Sequence, residues 1–302
     1  MTDTVFLASR GRFSLAAAAG FGFGPNEGRT SDFDGILRLA FAVDGGRGYA
    51  GVVLRQPDPD GPLEAAFELR GGAGVDAAIA QTQRIVSLDH DGVAFERLGG
   101  GDAVLGALQR AHPGQRPVLF PSPYEAAAWA VISARRPAAQ GARVRADLAR
   151  QLGETFELAG RETLAFPQPE HLLTLGDQFP GLNLEKLTRL RGVAGAAAAG
   201  ELDVDRMHAL GPEAAFVDVQ RLKGLGPFYA GLVVLRASGF ADAPLLAPEP
   251  RVLRHAAAYY ELDNPPTLEA FSALAQRWRP FRTWATVLIR LAGERGTEIS
   301  GG

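Results

Sequence analysis

The chain has 302 residues, of which 22% are charged and 46% hydrophobic, and it contains no cysteine. This length predicts one or two domains, and the absence of cysteine excludes disulfides, thiolate nucleophiles and cysteine-ligated metal centres. No stretch reaches the roughly 18 consecutive apolar residues of a membrane span. The sequence therefore predicts no membrane association, and we interpret its N-terminal segment as mature, cytoplasmic sequence and not as a signal peptide.

Charge is distributed unevenly along the chain. Residues 1–112 carry 10 basic and 14 acidic side chains, whereas residues 113–302 carry 21 and 20. Residues 133–150 hold five arginines against one aspartate. That excess could face phosphate, although a solvated helix face is the plainer interpretation. The chain has only two lysines, Lys186 and Lys223, which restricts where Schiff-base chemistry could occur.

The first part of the chain has the pattern of a small antiparallel sheet. Alternating and β-rich segments predict strands over 36–43, 49–55 and 63–69, separated by glycine- and proline-rich turns. A helix near 75–83, a short strand pair around Arg84 to Glu96 and a turn at HDG (90–92) are predicted to follow. These elements predict an α+β domain that, with a connecting helix, occupies residues 1–112.

After His112 the pattern changes to apolar residues at three- and four-residue spacing, with almost no strand signal. This predicts an all-α domain over residues 113–302. Ser122, Pro123 and Glu125 form a capping box that begins its first helix. Further helices are predicted near 138–152, 183–199, 212–222, 228–238, 251–260, 267–278 and 281–292.

Residues 213–239 have the pattern of a helix, a tight turn and a second helix. Gly224 and Gly226 are predicted to let the chain reverse and to leave backbone N–H groups at the start of the second helix open to an anion. A plain helix–helix corner with a glycine turn has the same spacing. The five histidines form no i, i+4 pair and no HExxH motif, which argues against a histidine-built metal site.

The segment LKGLGPFYA (222–230) resembles the hairpin signature of the helix-hairpin-helix DNA glycosylases. LAQRWRPFRTWA (274–285) is similar to an element of bacterial 3-methyladenine DNA glycosylase II, and three further blocks occur in that enzyme's order: FPSPYEAAAWAVIS, FPQPEHLLTL and LNLEKLTRLRGVAGAAAAGELDV. The likeness covers residues 113–292. It implies a monomeric base-excision repair enzyme that flips alkylated purines of the 3-methyladenine type out of duplex DNA and hydrolyses them off. A DNA-binding homologue with weakened or lost activity is the alternative.

The resemblance also implies how DNA is held. Main-chain amides of the turn, from Lys223 through Gly224 and Leu225 to Gly226, are expected to contact the backbone, with Phe228 beside them. A Na⁺ or K⁺ ion, the only cofactor expected, would be held by the carbonyls of Gln220, Leu222 and Leu225. In the loop after the first helix, Arg135 is the expected wedge that fills the gap left by the flipped nucleotide, and Arg136 is an expected phosphate contact.

For the chemistry, the resemblance assigns Glu249 to the position of the family's aspartate, which stabilises the positive charge on the sugar. A register shifted by one residue would put Pro250 there. Strand-cleaving members carry a lysine where this chain has Phe228, so single-step hydrolysis is expected. Aromatic side chains are the candidates for the base pocket, because their faces attract cationic alkylated bases: Phe120, Tyr124, Trp129, Phe228 and Tyr229.

Overall fold

The computed structural model describes residues 4–21, 33–45, 48–59 and 61–299. Its N-terminal part contains a four-stranded antiparallel sheet in the order β1-β4-β3-β2, with a short helix, α1 (Leu15–Ala19), between β1 and β2 in the chain. The strands are β1 (Val5–Leu7), β2 (Ile36–Ala42), β3 (Tyr49–Arg55) and β4 (Leu63–Arg70). The three strands predicted from alternation are therefore confirmed to within a residue at each end.

The sheet is covered on both faces. On one face Phe41 and Phe67 share a core with Ile85, which belongs to α2 (Val75–Ile85). On the other face the strands share a core with Phe156 from a hairpin in the second half of the chain. A Cβ atom on Gly51 of β3 would lie 2.6 Å from Phe156 Cδ1, so this strand position must be glycine for the hairpin to pack as closely as it does.

The strand pair predicted between Arg84 and Glu96 is wrong. The chain leaves α2 and enters α3 (Gly92–Arg97), followed by α4 (Ala103–Ala111). The Asp91 side chain accepts a hydrogen bond from Ala94 N at 3.1 Å, so the Asp-Gly pair that suggested a hairpin turn is a helix N-cap.

The second half of the chain is mainly helical, as predicted. Ser122 caps its first helix by accepting a hydrogen bond from Glu125 N at 3.1 Å, but the Glu125 carboxylate pairs with Arg145 and does not complete the capping box. The helices are α5 (Pro123–Ser133), α6 (Ala138–Leu152), α7 (Pro169–Leu173), α8 (Leu184–Ala198), α9 (Val204–Leu210), α10 (Pro212–Val219), α11 (Pro227–Ala237), α12 (Pro250–Tyr259), α13 (Leu268–Ala275) and α14 (Arg282–Glu294).

The prediction of almost no strand in this half is wrong at one place. The hairpin β5 (Glu154–Leu158) and β6 (Arg161–Ala165) covers the N-terminal sheet. Its two turn residues, Ala159 and Gly160, have φ angles of 46° and 75°, the left-handed pair that suits a two-residue hairpin. The alternating sequence ETFEL before this turn indicates a strand, but the helical periodicity of the neighbouring segments obscures that signal.

Two helical cores bound the functional region. Helices α5 to α11 pack around Trp129, Leu190 and Val233 in one core, whereas α12 to α14 pack with α3 and α4 in another. Asp102 joins the second core by accepting hydrogen bonds from Trp278 Nε1 at 2.9 Å and Tyr260 Oη at 2.8 Å. The predicted boundary at residue 112 stays a prediction. Among the described residues no helix is long and apolar enough to cross a membrane.

Candidate functional site

A cavity of about 690 Å³ opens between the two helical cores. Helices α5, α11, α12 and α14 and the segment before α12 contribute to its wall. Six of the residues singled out from the sequence meet in this wall: Phe120, Trp129, Arg136, Phe228, Tyr229 and Glu249. Four of them are aromatic, so the wall offers flat apolar surface to a planar guest of the size of a nucleobase.

Glu249 is held at the start of α12. Its Oε2 accepts a hydrogen bond from Val252 N at 2.7 Å, and its Oε1 accepts a long one from Arg251 N at 3.4 Å. Pro250 occupies the first helical position, where it lacks an N–H group and leaves those two amides for the carboxylate. The helix dipole and the amides thus fix a carboxylate whose side chain is only 17% exposed and which faces the cavity.

Positive charge exceeds negative charge around the cavity. Among the described lining residues are two glutamates, Glu249 and Glu294, and five arginines. Glu294 bridges Arg251 at 3.1 Å and Arg290 at 3.3 Å, and Arg290 Nε lies 3.8 Å from Glu249 Oε2. The arginines are Arg136, Arg236, Arg251, Arg290 and Arg295.

The pKa values of these groups follow from burial and from the arginines. Burial raises the pKa of Glu294, but Arg290 and Arg251 together outweigh it, so the net pKa is lowered. Burial, with a smaller effect of Arg290, lowers the pKa of Arg236 to about 10. Within the described part of the chain, the Nε atoms of Arg236 and Arg290 are buried and have no hydrogen-bond partner.

The turn between α10 and α11 is exposed beside this cavity, and its two glycines differ. Gly224 has φ +99°, which the chain reversal requires, whereas Gly226 has φ −68°, which any residue adopts. The prediction that both glycines serve the reversal is thus wrong for Gly226. A Cβ on Gly226 would meet no atom within 4 Å. Glycine at residue 226 therefore keeps the surface of the turn open to a ligand.

The other hairpin residues also divide by position. Lys223 is exposed, whereas Leu225 is only 1% exposed as a whole residue and packs in the helical core. The Leu225 N–H donates to Leu222 O at 3.1 Å, so the expectation that this amide is open to a DNA backbone is corrected. Phe228 is 51% exposed and belongs both to the first turn of α11 and to the cavity wall. A strand held at the turn would therefore place a nucleotide at the mouth of the cavity.

The carbonyls proposed to hold a cation belong to Gln220, Leu222 and Leu225, all on this turn. The Leu222 carbonyl accepts a hydrogen bond from Leu225 N at 3.1 Å and keeps a second lone pair. Uncharged carbonyl oxygens suit a hard monovalent cation, so the donor set fits Na⁺ or K⁺. Among the described residues no group of three or more His, Cys, Asp or Glu side chains could hold a metal ion.

The loop between α5 and α6 forms another edge of the cavity. Ser133, Arg136 and Ala138 line the cavity, and Arg135 is exposed at the tip of the loop with φ +55°. A left-handed conformation is uncommon for a residue with a Cβ atom. The structure therefore presents the predicted wedge residue at the rim and not inside the cavity.

One predicted pocket residue lies elsewhere. Tyr124 is buried in the helical core, where its hydroxyl donates to Pro167 O at 3.0 Å, and it does not line the cavity. Its place among the base-pocket candidates is therefore corrected. The sequence predicts the helix α14 but not its place in the cavity wall, to which it contributes Thr286, Arg290 and Glu294. Their spacing of four residues, a polar stripe along an otherwise apolar helix, is the signal that could have identified them.

Neither a protein-family model nor a curated protein sequence matches the chain. Solved structures do. A 3-methyladenine DNA glycosylase from Archaeoglobus fulgidus is 18% identical with a TM-score of 0.74, and the match covers 99% of this chain and 100% of that one. An 8-oxoguanine glycosylase/lyase from Clostridium acetobutylicum, in complex with dsDNA, is 15% identical with a TM-score of 0.66, over 98% and 97%.

A third structure matches over a smaller share of the chain. The Schizosaccharomyces pombe 3-methyladenine DNA glycosylase, in complex with abasic DNA, is 18% identical with a TM-score of 0.52, over 68% of this chain and 99% of that one. At these identities the likeness shows a shared fold. The predicted fold, an α+β part followed by a helical part, is therefore confirmed as one that these solved structures share.

Proposed function

We propose that the chain is a DNA glycosylase of base-excision repair, which flips a damaged purine out of duplex DNA and hydrolyses its N-glycosidic bond. The observation that carries this proposal is the placement of Glu249. Its carboxylate is fixed by helix amides and faces an aromatic cavity, beside an exposed hairpin suited to a DNA backbone. The shared fold supports the same function.

In the proposed reaction the bond between C1′ and the base nitrogen breaks, and its electron pair leaves with the base. The sugar becomes positively charged, and Glu249 stabilises that charge. A water molecule then adds to C1′ and gives up one proton to the Glu249 carboxylate. For a base that is neutral in DNA, the carboxylate passes this same proton to the glycosidic nitrogen of the departed base anion and is regenerated, whereas a cationic base leaves neutral without it. A monovalent cation at Gln220, Leu222 and Leu225 would add attraction for a phosphate of the same strand.

The positions of the two lysines support hydrolysis without strand cleavage. Lys223 lies on the exposed turn and Lys186 beneath the loop between α5 and α6, and no lysine lines the described wall of the cavity. A Schiff base at C1′ requires a lysine amine next to the sugar. We therefore infer a monofunctional enzyme. That it acts as a monomer stays a prediction from the family resemblance.

Charge around the cavity refines the proposed substrate class of alkylated purines. The faces of Phe228 and Tyr229 would each attract a cationic base such as 3-methyladenine by about 0.5–2 kcal/mol. One guanidinium at about 7 Å would repel it by about 2 kcal/mol at an effective dielectric of 20, and the lining arginines exceed the glutamates by three. Neutral alkylated purines, such as 1,N6-ethenoadenine, avoid this repulsion and still stack.

The test is single-turnover base release from duplexes that carry 1,N6-ethenoadenine, 7-methylguanine, 3-methyladenine or hypoxanthine. We expect release by the wild type, fastest with the neutral alkylated base, and a loss of about 10³-fold in Glu249→Gln, since a carboxylate about 4 Å from a cation contributes about 4 kcal/mol at that dielectric. Glu269→Gln is the matched control, because Glu269 also lies in the first turn of a helix but outside the cavity.

Two results would change the proposal. Undiminished release by Glu249→Gln would remove Glu249 from the mechanism. No release by the wild type, together with tight binding to an abasic analogue, would favour the alternative of a DNA-binding homologue without activity. The Glu249→Gln protein should fold normally, because the amide oxygen of glutamine can still accept the hydrogen bond from Val252 N.

A further inference from the structure

We propose that Lys186 is a positioning residue, which clamps the loop between α5 and α6 so that Arg135 stands ready to enter the DNA duplex. Lys186 lies in the first turn of α8, and its Nζ donates to Ile132 O at 2.9 Å and to Ala134 O at 2.8 Å. Both carbonyls belong to the C-terminal end of α5, where the helix itself supplies no partners. The proposal rests on the proposed glycosylase function.

The loop is held on both sides of Arg135. On one side Lys186 bonds Ala134, and on the other side Arg136 Nη2 donates to Gly181 O at 2.9 Å. Residues 181–186 form a single short segment that leads into α8, so one piece of backbone anchors both flanks. Between the anchors Arg135 keeps its left-handed conformation and its exposure. A conformation that is unfavourable for arginine persists only where the surroundings fix it.

Helix α8 also supports the hairpin. Arg189 lies three residues after Lys186 on α8, about one helical turn further along. A Cβ on Gly224 would lie 3.0 Å from Arg189 Cδ. The predicted wedge loop and the predicted backbone-binding turn thus rest on neighbouring positions of one rigid helix. This arrangement fixes the distance between the two contacts before DNA arrives, which reduces the ordering that binding requires.

The charges around Lys186 support a role at working pH. Burial, followed by the neighbouring charges of Arg136 and Arg189, lowers the pKa of Lys186 to about 8, against a smaller opposing effect of Glu185. Below this pH the ammonium makes charge-assisted bonds to the two carbonyls, and above it the neutral amine makes ordinary, weaker ones. Positioning of the loop should therefore weaken as the pH rises above about 8.

Hydrogen exchange in the DNA-free protein tests the clamp without any reference to catalysis. In Lys186→Met we expect at least tenfold faster exchange of the amides of residues 134–136, while Lys186→Arg retains slow exchange. Arg191→Met is the matched control, because Arg191 also projects from α8 and donates to a carbonyl, that of Leu175 at 3.0 Å, away from the loop. Unchanged exchange in Lys186→Met would overturn the clamp.

A base-flipping assay tests whether the clamp serves to position Arg135. Flipping is monitored by the fluorescence of 2-aminopurine placed in a DNA duplex. The Lys186→Met protein should flip the base about as poorly as the Arg135→Ala protein. In the double variant, base flipping should be no weaker than in Arg135→Ala alone. The decline above pH 8 should disappear in Lys186→Arg. If Lys186→Met reduces base flipping by the same factor in the wild type and in Arg135→Ala, Lys186 has a general structural role and the proposal is overturned. If the wild type flips no base, the proposed function fails, while the exchange result still decides whether the clamp exists.

Discussion

Gly224 and Gly226 look equivalent in the sequence, yet the structure predicts opposite consequences for replacing them with alanine. Gly224 has φ +99° and its Cβ would press on Arg189 Cδ at 3.0 Å, whereas Gly226 has φ −68° and its Cβ would meet only open space. Gly224→Ala should therefore impair folding stability, and Gly226→Ala should impair DNA binding alone.

The magnitudes follow from the backbone. Holding an alanine at the Gly224 conformation costs about 2 kcal/mol, within the range of about 1–3 kcal/mol for such strain. For a domain of this size that lowers Tm by about 4–8 °C. At Gly226 the gain of about 0.4–1 kcal/mol from a less flexible unfolded chain is offset by a poorer N-cap for α11, so Tm should change by less than about 2 °C.

The expected binding effect has a separate origin. A methyl group at residue 226 would stand where a phosphate must approach the amides of α11. Loss of one hydrogen bond to a charged group costs about 1.5–3 kcal/mol, which corresponds to about a tenfold to hundredfold rise in Kd. Fluorescence anisotropy with a duplex that carries an abasic analogue measures this Kd, and thermal unfolding measures Tm on the same preparations.

Either of two outcomes would refute this reasoning. Wild-type affinity in Gly226→Ala would mean that the turn does not contact the strand. A fall in Tm for Gly226→Ala as large as that for Gly224→Ala would mean that its surface is covered by protein in solution. An undamaged duplex of equal length, titrated with salt, separates specific binding at the turn from general attraction.

Three further predictions concern other parts of the chain. Arg135→Gly should change Tm by less than about 2 °C, because glycine relieves the left-handed strain but makes the unfolded chain more flexible, while single-turnover release should fall by about tenfold or more. Borohydride should trap no covalent complex with abasic DNA, since no lysine lines the described cavity wall; a trapped band would contradict monofunctional hydrolysis. Asp102→Ala should lower the free energy of unfolding by about 3 kcal/mol in denaturant titrations, because it removes the cap of α4 and leaves Trp278 Nε1 without its acceptor; a loss below about 1 kcal/mol would contradict this.

Elements defined by local pattern were predictable from the sequence. Strands β2 and β3 are rich in apolar residues, β4 alternates between buried and half-buried positions, and turn residues separate the three strands. Helix α5 begins at a serine N-cap. The hairpin of β5 and β6 was not predicted, because its stability depends on Phe156 packing onto Gly51 about a hundred positions earlier in the chain. Asp91 was misinterpreted because Asp-Gly suits both a hairpin turn and a helix start.

The candidate site was predictable only where its residues follow one another closely in the sequence. Phe228 and Tyr229 follow the hairpin motif directly, and Glu249 begins the next helix, so local order places all three. Tyr124 and Trp129 lie on the same helix, but only Trp129 lines the cavity, since the two side chains point to different neighbours. Which face of a buried helix meets a cavity depends on the other helices, and a single sequence does not carry that information.

The arginines around the cavity show how the fold changes the meaning of residues that the sequence presents as unrelated. Arg136 comes from the loop between α5 and α6, Arg236 from α11 and Arg290 from α14. In the sequence each of them alone has an ordinary surface interpretation. Brought together, they oppose the cationic bases that the aromatic residues attract. Electrostatic repulsion falls slowly with distance, so the arginines act on every cationic base that enters the cavity. The attraction of an aromatic ring requires contact with its face, so the rings act only on bases that stack on them. Under the proposed function we therefore expect selection among damaged purines in this cavity to depend first on charge and then on shape.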